Sequence, residues 1–254
     1  MPTKKRKNGD SHSGIGSMSA KQLKRKKPIN TDVMVDIKPL TKNQEKFFDE
    51  YNKGRNIFAY GAAGTGKTFV ALYLALKEVL DVVTPYEKVY IVRSLVSTRE
   101  IGFLPGDHED KSFLYQIPYK NMVKYMFEMT DDTEFEMLYG ALKTQETIGF
   151  WSTSFIRGTT MDNAIIIVDE MQNLNFHELD SIITRVGENC KILFCGDASQ
   201  SDLTKTNERN GILDFSKIIA AMDQDFSTIE FGLDDIVRSG LVRNYLLAKN
   251  ALNM

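Results

Sequence analysis

The stretch Gly61-Ala62-Ala63-Gly64-Thr65-Gly66-Lys67-Thr68 limits what this chain can fold into more than any other. It has the spacing of a phosphate-cradling loop: Gly, four residues, then Gly-Lys-Ser/Thr. The apolar run Ile57 to Tyr60 before it reads as a strand, and Phe69 to Leu80 after it reads as a helix. That strand–loop–helix context is what the chemistry requires. Glycines let backbone N–H groups wrap phosphate oxygens with no Cβ in the way, and the helix start adds the positive end of its dipole. Gly61, Ala62, Ala63, Gly64, Thr65 and Gly66 would then surround the phosphates of ATP. Lys67 would reach the β- and γ-phosphates, and the Thr68 hydroxyl would hold Mg2+. The structural alternative is a glycine-rich turn that closes a helix onto a sheet.

The remaining pattern says what kind of sheet that strand joins. Ala164-Ile-Ile-Ile-Val168 is continuously apolar and β-branched, which suits a parallel strand covered on both faces. Further strands are expected at 89–92, 147–152, 191–195 and 227–231. Helices are expected at 41–52, 67–80, 176–186, 211–221 and 240–251. Residues 112–147 read as predominantly helical, with Pro118 beginning or breaking a segment. Thr41, with Gln44 three residues on, has the spacing of a capping box at the first helix. Strands alternating with helices predict a three-layer α/β fold with a mostly parallel sheet and a single core domain.

Charge divides the chain unevenly. Residues 1–30 hold nine basic residues between Lys4 and Lys27 and one acid, Asp10, so this tail is +8. The formal net charge of the whole chain is −2, which leaves −10 on the remainder. The tail is rich in Ser and Gly and nearly empty of large apolar residues, so residues 1–32 are expected to be a disordered leader, with 33–254 forming the folded domain. A basic arm of this kind can also grip nucleic-acid phosphates. No apolar run approaches the length that spans a bilayer, and the N-terminus lacks the apolar core of a signal peptide. Cys190 and Cys195 have neither CxxC spacing nor a histidine cluster nearby, so they are expected to be reduced core residues in a cytoplasmic protein.

In open parallel sheets, ligands bind beyond the carboxyl ends of the strands, and two more polar clusters fall there. Asp169-Glu170 follows the buried run at 164–168. Asp169 would hold Mg2+ through its shell, and Glu170 would polarise the attacking water. Gly196-Asp197-Ala198-Ser199-Gln200 follows the strand at 191–195, and Gln200 could touch the γ-phosphate or the water.

Together these residues resemble the PhoH family, whose ATPase core is similar to the first RecA-like domain of superfamily-1 helicases. Ile101-Gly-Phe-Leu-Pro-Gly106 looks like the family's LGFLPG element. Arg157-Gly158 with Ile165-Ile-Ile-Val-Asp-Glu-Met-Gln-Asn173 resembles its RG…IILDEAQN stretch. Gly196-Asp-Ala-Ser-Gln-Ser-Asp-Leu203 matches GDxxQxDL, and Asp235-Ile-Val-Arg-Ser-Gly-Leu-Val242 resembles DVVRHxLV. The resemblance covers about residues 38–250. Met171 stands where the family usually has Ala, and Ser239-Gly240 replaces a common His-Pro. In its compactness the chain is similar to the short forms encoded by bacteriophages. The resemblance implies a P-loop NTPase of RecA-like fold, ATP hydrolysis with Mg2+, and association with RNA or single-stranded nucleic acid. It also implies that Gln44 reads adenine, a role that can coexist with capping.

Only 54 residues follow Gln200, fewer than the ~100 of a typical domain. A second RecA-like domain is therefore not expected, and a neighbouring subunit is expected to complete the site in a homo-oligomeric ring, a hexamer by the resemblance. Arg238 and Arg243 are the candidate arginine fingers. Arg93, Arg99 and Arg157 are candidate contacts to a nucleic-acid strand. Two other functions fit a P-loop: a nucleotide-gated assembly module with little turnover, and a small-molecule kinase using 112–147 as a lid. Glu170 argues against the first, and the Asp-Glu-Met-Gln and Gly-Asp-x-x-Gln clusters argue against the second.

Overall fold

An apolar run with no polar alternation needs cover on both faces, and residues 164–168 have it: all five are buried in an interior strand of a six-stranded sheet. The computed structural model of the chain describes residues 29, 33–81, 83–94, 108–153, 156, 158–197 and 206–252. Its strands are β1 (Asn56–Gly61), β2 (Lys88–Arg93), β3 (Ile148–Ser152), β4 (Ala164–Val168), β5 (Lys191–Gly196) and β6 (Phe226–Phe231). They lie in the order β3-β2-β4-β5-β1-β6, and every neighbouring pair is parallel. All six therefore deliver their carboxyl ends to one edge, with β5 standing between β1 and β4.

The helices are α1 (Lys42–Asn52), α2 (Lys67–Leu80), α3 (His108–Met126), α4 (Asp132–Thr144), α5 (Phe176–Ile183), α6 (Thr206–Ala221) and α7 (Gly240–Ala251). Two core layers sandwich the sheet. On one face Phe47, Leu72, Val123 and Leu142, from α1 to α4, join Ile165 and Ile167 of β4. On the other, Leu179 and Ile182 of α5 with Phe215 and Ile219 of α6 join Ile166 and Val168. Successive β4 side chains alternate between the layers, as the period of a strand requires. α2 is buried nearly all round, as its sequence predicts. Both cysteines are free. Cys195 lies in the first layer and half-buried Cys190 packs on the second, so the sheet itself separates them. No described helix is long and apolar enough to cross a membrane.

Three sequence expectations give way. The helical reading of 112–147 itself holds, in α3 and α4, with Asp131 capping α4 by accepting a hydrogen bond from the Glu134 N–H. Pro118 neither begins nor breaks α3 but lies inside it. A proline in a helix interior costs ~3 kcal/mol, and burial of Tyr119, Val123 and Met126 on the same helix offsets it. α5 stops at Ile183 rather than 186, because Val186 is drawn into a bridge with Met161. α6 starts at Thr206 rather than 211. Gly211 lies inside it, where a Cβ would come within 2.6 Å of the Phe176 nitrogen. That glycine serves a close helix–helix approach rather than a boundary.

Candidate active site

β1 ends at Gly61, and the loop after it turns directly into α2 at Lys67. Across the carboxyl edge, β4 delivers Asp169 and β5 delivers Gly196-Asp197. Thr68 and Asp169, 101 residues apart, meet in a 2.6 Å hydrogen bond between Oγ1 and Oδ1. The Lys67 ammonium donates into its own loop, to the carbonyls of Gly61 (3.0 Å) and Ala62 (2.7 Å) and to Thr65 Oγ1 (3.1 Å). Burial pushes its pKa below the usual lysine range, opposed by Cys195, Asp197, Glu170 and Asp169. Residues 63–69 line a cavity of about 360 Å³, together with Asp169, Glu170, Asp197, Arg93, Tyr119 and Arg238.

Glu170 has a φ of 51°, in the left-handed region, where it caps a single 3-10 turn from Met171 to Asn173. Such a conformation costs a non-glycine residue ~1–3 kcal/mol and concentrates at functional positions. Gln172, in that turn, donates to Glu170 Oε2 at 2.5 Å and accepts from the Asp197 N–H at 2.9 Å. It therefore ties the carboxylate to the end of β5. Burial raises the Glu170 pKa, and the adjacent Asp169 charge adds to this, while Gln172, Arg93 and Lys67 pull it back. A carboxylate raised in this way is better suited to accept a proton near neutral pH. The Thr68 and Asp169 oxygens form a hard donor set. That set fits Mg2+, which takes one or two protein groups and completes its shell with water and phosphate.

Gln44 is buried, and both ends of its amide are engaged. Its backbone N–H donates to Thr41 Oγ1 (3.3 Å), as the capping spacing predicts. The reciprocal bond comes to Gln44 Oε1 from Leu40 N–H (2.8 Å) rather than from the cap residue, while Nε2 donates to the Thr65 carbonyl at 2.9 Å. α1 thus holds the phosphate loop from outside. Beside it, Asp235 accepts from Asn43 Nδ2 at 2.7 Å, and the Val237 N–H donates to the Gly64 carbonyl at 3.1 Å. Arg238 consequently lies on the loop of its own chain: a Cβ on Gly64 would sit 2.8 Å from Arg238 Cγ. The sequence reading assigns this arginine to a neighbour's site, whereas the structure sets it over its own cleft. Arg243 is exposed on α7 and is not among the cleft-lining residues.

The sequence reading leaves two residues out of the cleft that belong to it. Arg93, read there as a nucleic-acid contact, ends β2 beside β4 and lines the cleft, with its guanidinium 5.7 Å from the Tyr115 ring centre. Burial acts to lower its pKa, but Tyr119, Asp169 and Glu170 outweigh that and raise it. The Tyr119 hydroxyl donates to Asp169 Oδ2 at 2.5 Å. The place of Arg93 at a strand end is a usable signal, but nothing in the sequence marks Tyr119. Gln200, Arg99, Arg157, residues 101–106 and nearly all of the basic tail lie outside the described residues.

The family described as PhoH-like protein matches residues 36–249. A PhoH-like protein of Mycobacterium leprae is 30% identical over 207 residues, 81% of this chain and 56% of the relative. A PhoH-like protein of Bacillus subtilis is 29% identical over 218 residues, 85% of this chain and 65% of the relative. The chain thus spans less than two thirds of the length of either. Among solved structures, the large terminase of a thermophilic bacteriophage, in complex with ADP, aligns with 82% of this chain and 49% of that one. Its TM-score is 0.47 at 13% identity, a likeness too slight to carry an argument.

Two stability measurements separate these roles without any nucleotide. Gln44→Ala leaves the Thr65 carbonyl and the Leu40 N–H without their partner, so it should lower the unfolding free energy by about 1–3 kcal/mol in urea titrations. Glu170→Gln should do the opposite at pH 7. A carboxyl whose folded pKa is raised makes the wild type lose stability as pH rises through that pKa, and glutamine carries no such penalty. The stability gap should close below the ordinary value of 4.5, where both forms are neutral.

Proposed function

We propose that this chain, which belongs to the PhoH-like protein family, is a Mg2+-dependent ATPase that couples hydrolysis to binding or unwinding RNA or single-stranded DNA in a homo-oligomeric ring. The observation that carries the ATPase reading is the 2.6 Å bond between Thr68 and Asp169, with Glu170 held beside it by Gln172. Nucleotide phosphates entering the loop take over the Lys67 ammonium, whose present partners are neutral oxygens. Thr68 would hold Mg2+ directly and Asp169 through its shell, and the ion would supply electrostatic stabilisation of the phosphoryl oxygens. Glu170 accepts the proton of the water that attacks the γ-phosphorus, as the bond to the β–γ bridging oxygen breaks. Arg93 and Arg238 add positive charge from two sides of the cleft. Gln200 is assigned to the γ-phosphate or the water from its place in the sequence after the strand at 191–195, and Gln44 to the adenine edge by family resemblance, a role for which its amide would have to leave Leu40 or Thr65.

The nucleic-acid part rests on the family and on the basic residues from Lys4 to Lys27. For the ring the support is α7. It buries none of its side chains, and Leu241 and Tyr245 stand exposed along it, with Leu252 exposed at its C-terminal cap. Residues 236–252 carry Arg238, Arg243 and Lys249 and no acid. At the other side of the sheet, α4 follows α3 into β3 and exposes Met137 and Glu134, with its cap Asp131 also exposed. β6, which leads into α7, and β3 are the two sheet edges. The basic face of one copy can thus dock head to tail on the acidic face of the next, and such contacts form a ring when the rotation between copies closes.

Two measurements check this. Turnover of ATP by the full chain should require Mg2+ and rise with single-stranded RNA or DNA, and Glu170→Gln should lower kcat by about 10²–10⁴-fold. Nucleotide binding with negligible turnover would favour the assembly-module reading instead. Light scattering should find an oligomer that Tyr245→Asp dissociates; a wild-type monomer at every concentration and with nucleotide present would remove the ring.

A further inference from the structure

Given the ATP–Mg2+ reading above, we infer that Tyr119 is a positioning residue for Asp169, and that through this phenol α3 sets the affinity of the site for Mg2+. Both oxygens of Asp169 are already bonded. Oδ1 accepts from Thr68 at 2.6 Å and Oδ2 accepts from Tyr119 at 2.5 Å. Two donors on the two oxygens fix the plane of the carboxylate and keep the Thr68 side aimed at the metal position. Tyr119 is 2% exposed, so packing holds its ring in place where it lines the cleft.

The contact is part of a wider grip. One turn earlier on α3, the Tyr115 ring lies under the Arg93 guanidinium, and Arg93 also engages Tyr119. α3 therefore holds the ends of both β2 and β4. It comes from the segment between β2 and β3 and contributes nothing to the phosphate loop. Partners that orient a metal-holding side chain typically change metal affinity about 10–100-fold when removed.

The test uses Mn2+ in place of Mg2+, with ADP and the full chain, and reads free Mn2+ by electron paramagnetic resonance, independently of hydrolysis. Tyr119→Phe keeps the ring and should weaken Mn2+ binding by about 10–100-fold. The control is Tyr139→Phe, which removes a buried hydroxyl that has no partner among the described residues, and it should leave binding unchanged. Equal or tighter binding by Tyr119→Phe overturns this inference and leaves the ATPase reading standing. Failure of the wild type to take up Mn2+ with ADP overturns both. Hydrogen exchange on the wild type supplies a readout that needs no variant. Mn2+–ADP should add protection across residues 115–126, and no change there overturns the inference.

Discussion

The bond between Thr68 and Asp169 can form only because β1, β5 and β4 run parallel with their ends level. β5 separates the other two strands, so the residues that meet start from the first and third strands of a triplet. The register fixes this: Ala59 pairs with Cys195 and Ile167 with Leu193. A one-residue slip of β4 would turn its side chains to the opposite faces and carry Asp169 away from the loop. The all-apolar makeup of β4 is therefore as much a part of the site as the polar residues after it.

Lysines at the two ends of the sheet show how the chain separates support from chemistry. At the amino end of β5, Lys191 is buried, donates to Glu78 at 2.8 Å and lies 3.7 Å from the Tyr51 ring centre. Its charge is matched inside the protein, and the pair fastens β5 to α1 and α2. At the carboxyl end, Lys67 is likewise withdrawn from water but donates to neutral oxygens. Glu170 sits close by, strained in its backbone and costly to ionise. A site built in this way is held ready at the expense of the fold's own stability.

What the sequence disclosed follows from range. The phosphate loop, the strand before it and the helix after it were legible because they are contiguous and each residue type has one local reason to be there. Residues 164–168 were legible because burial on both faces leaves a continuous apolar signature. Asp169 and Glu170 then followed from strand ends alone. Long-range contacts were not legible. The spacing of Gln44 announced a cap, but its grip on Thr65 depends on how α1 lies against the loop. Arg238 was visible as an arginine after Asp235, yet its seat over Gly64 depends on the bonds from Asn43 to Asp235 and from Val237 to the Gly64 carbonyl. Tyr119 is one aromatic among several in a segment legible only as helical, and Pro118 beside it suggested a boundary that does not exist.

That proline has a mechanical consequence. It lacks an N–H, so the backbone ladder of α3 loses one rung at position 118, and its ring presses on the preceding turn. Bending stiffness along a helix comes from that ladder and is lowest where a rung is absent. The next residue is the one whose hydroxyl touches Asp169. The helix is thus most compliant immediately beside its point of contact with the cleft, so a small displacement of the carboxylate can be taken up as a change of angle in the rod rather than as damage to the packing around it.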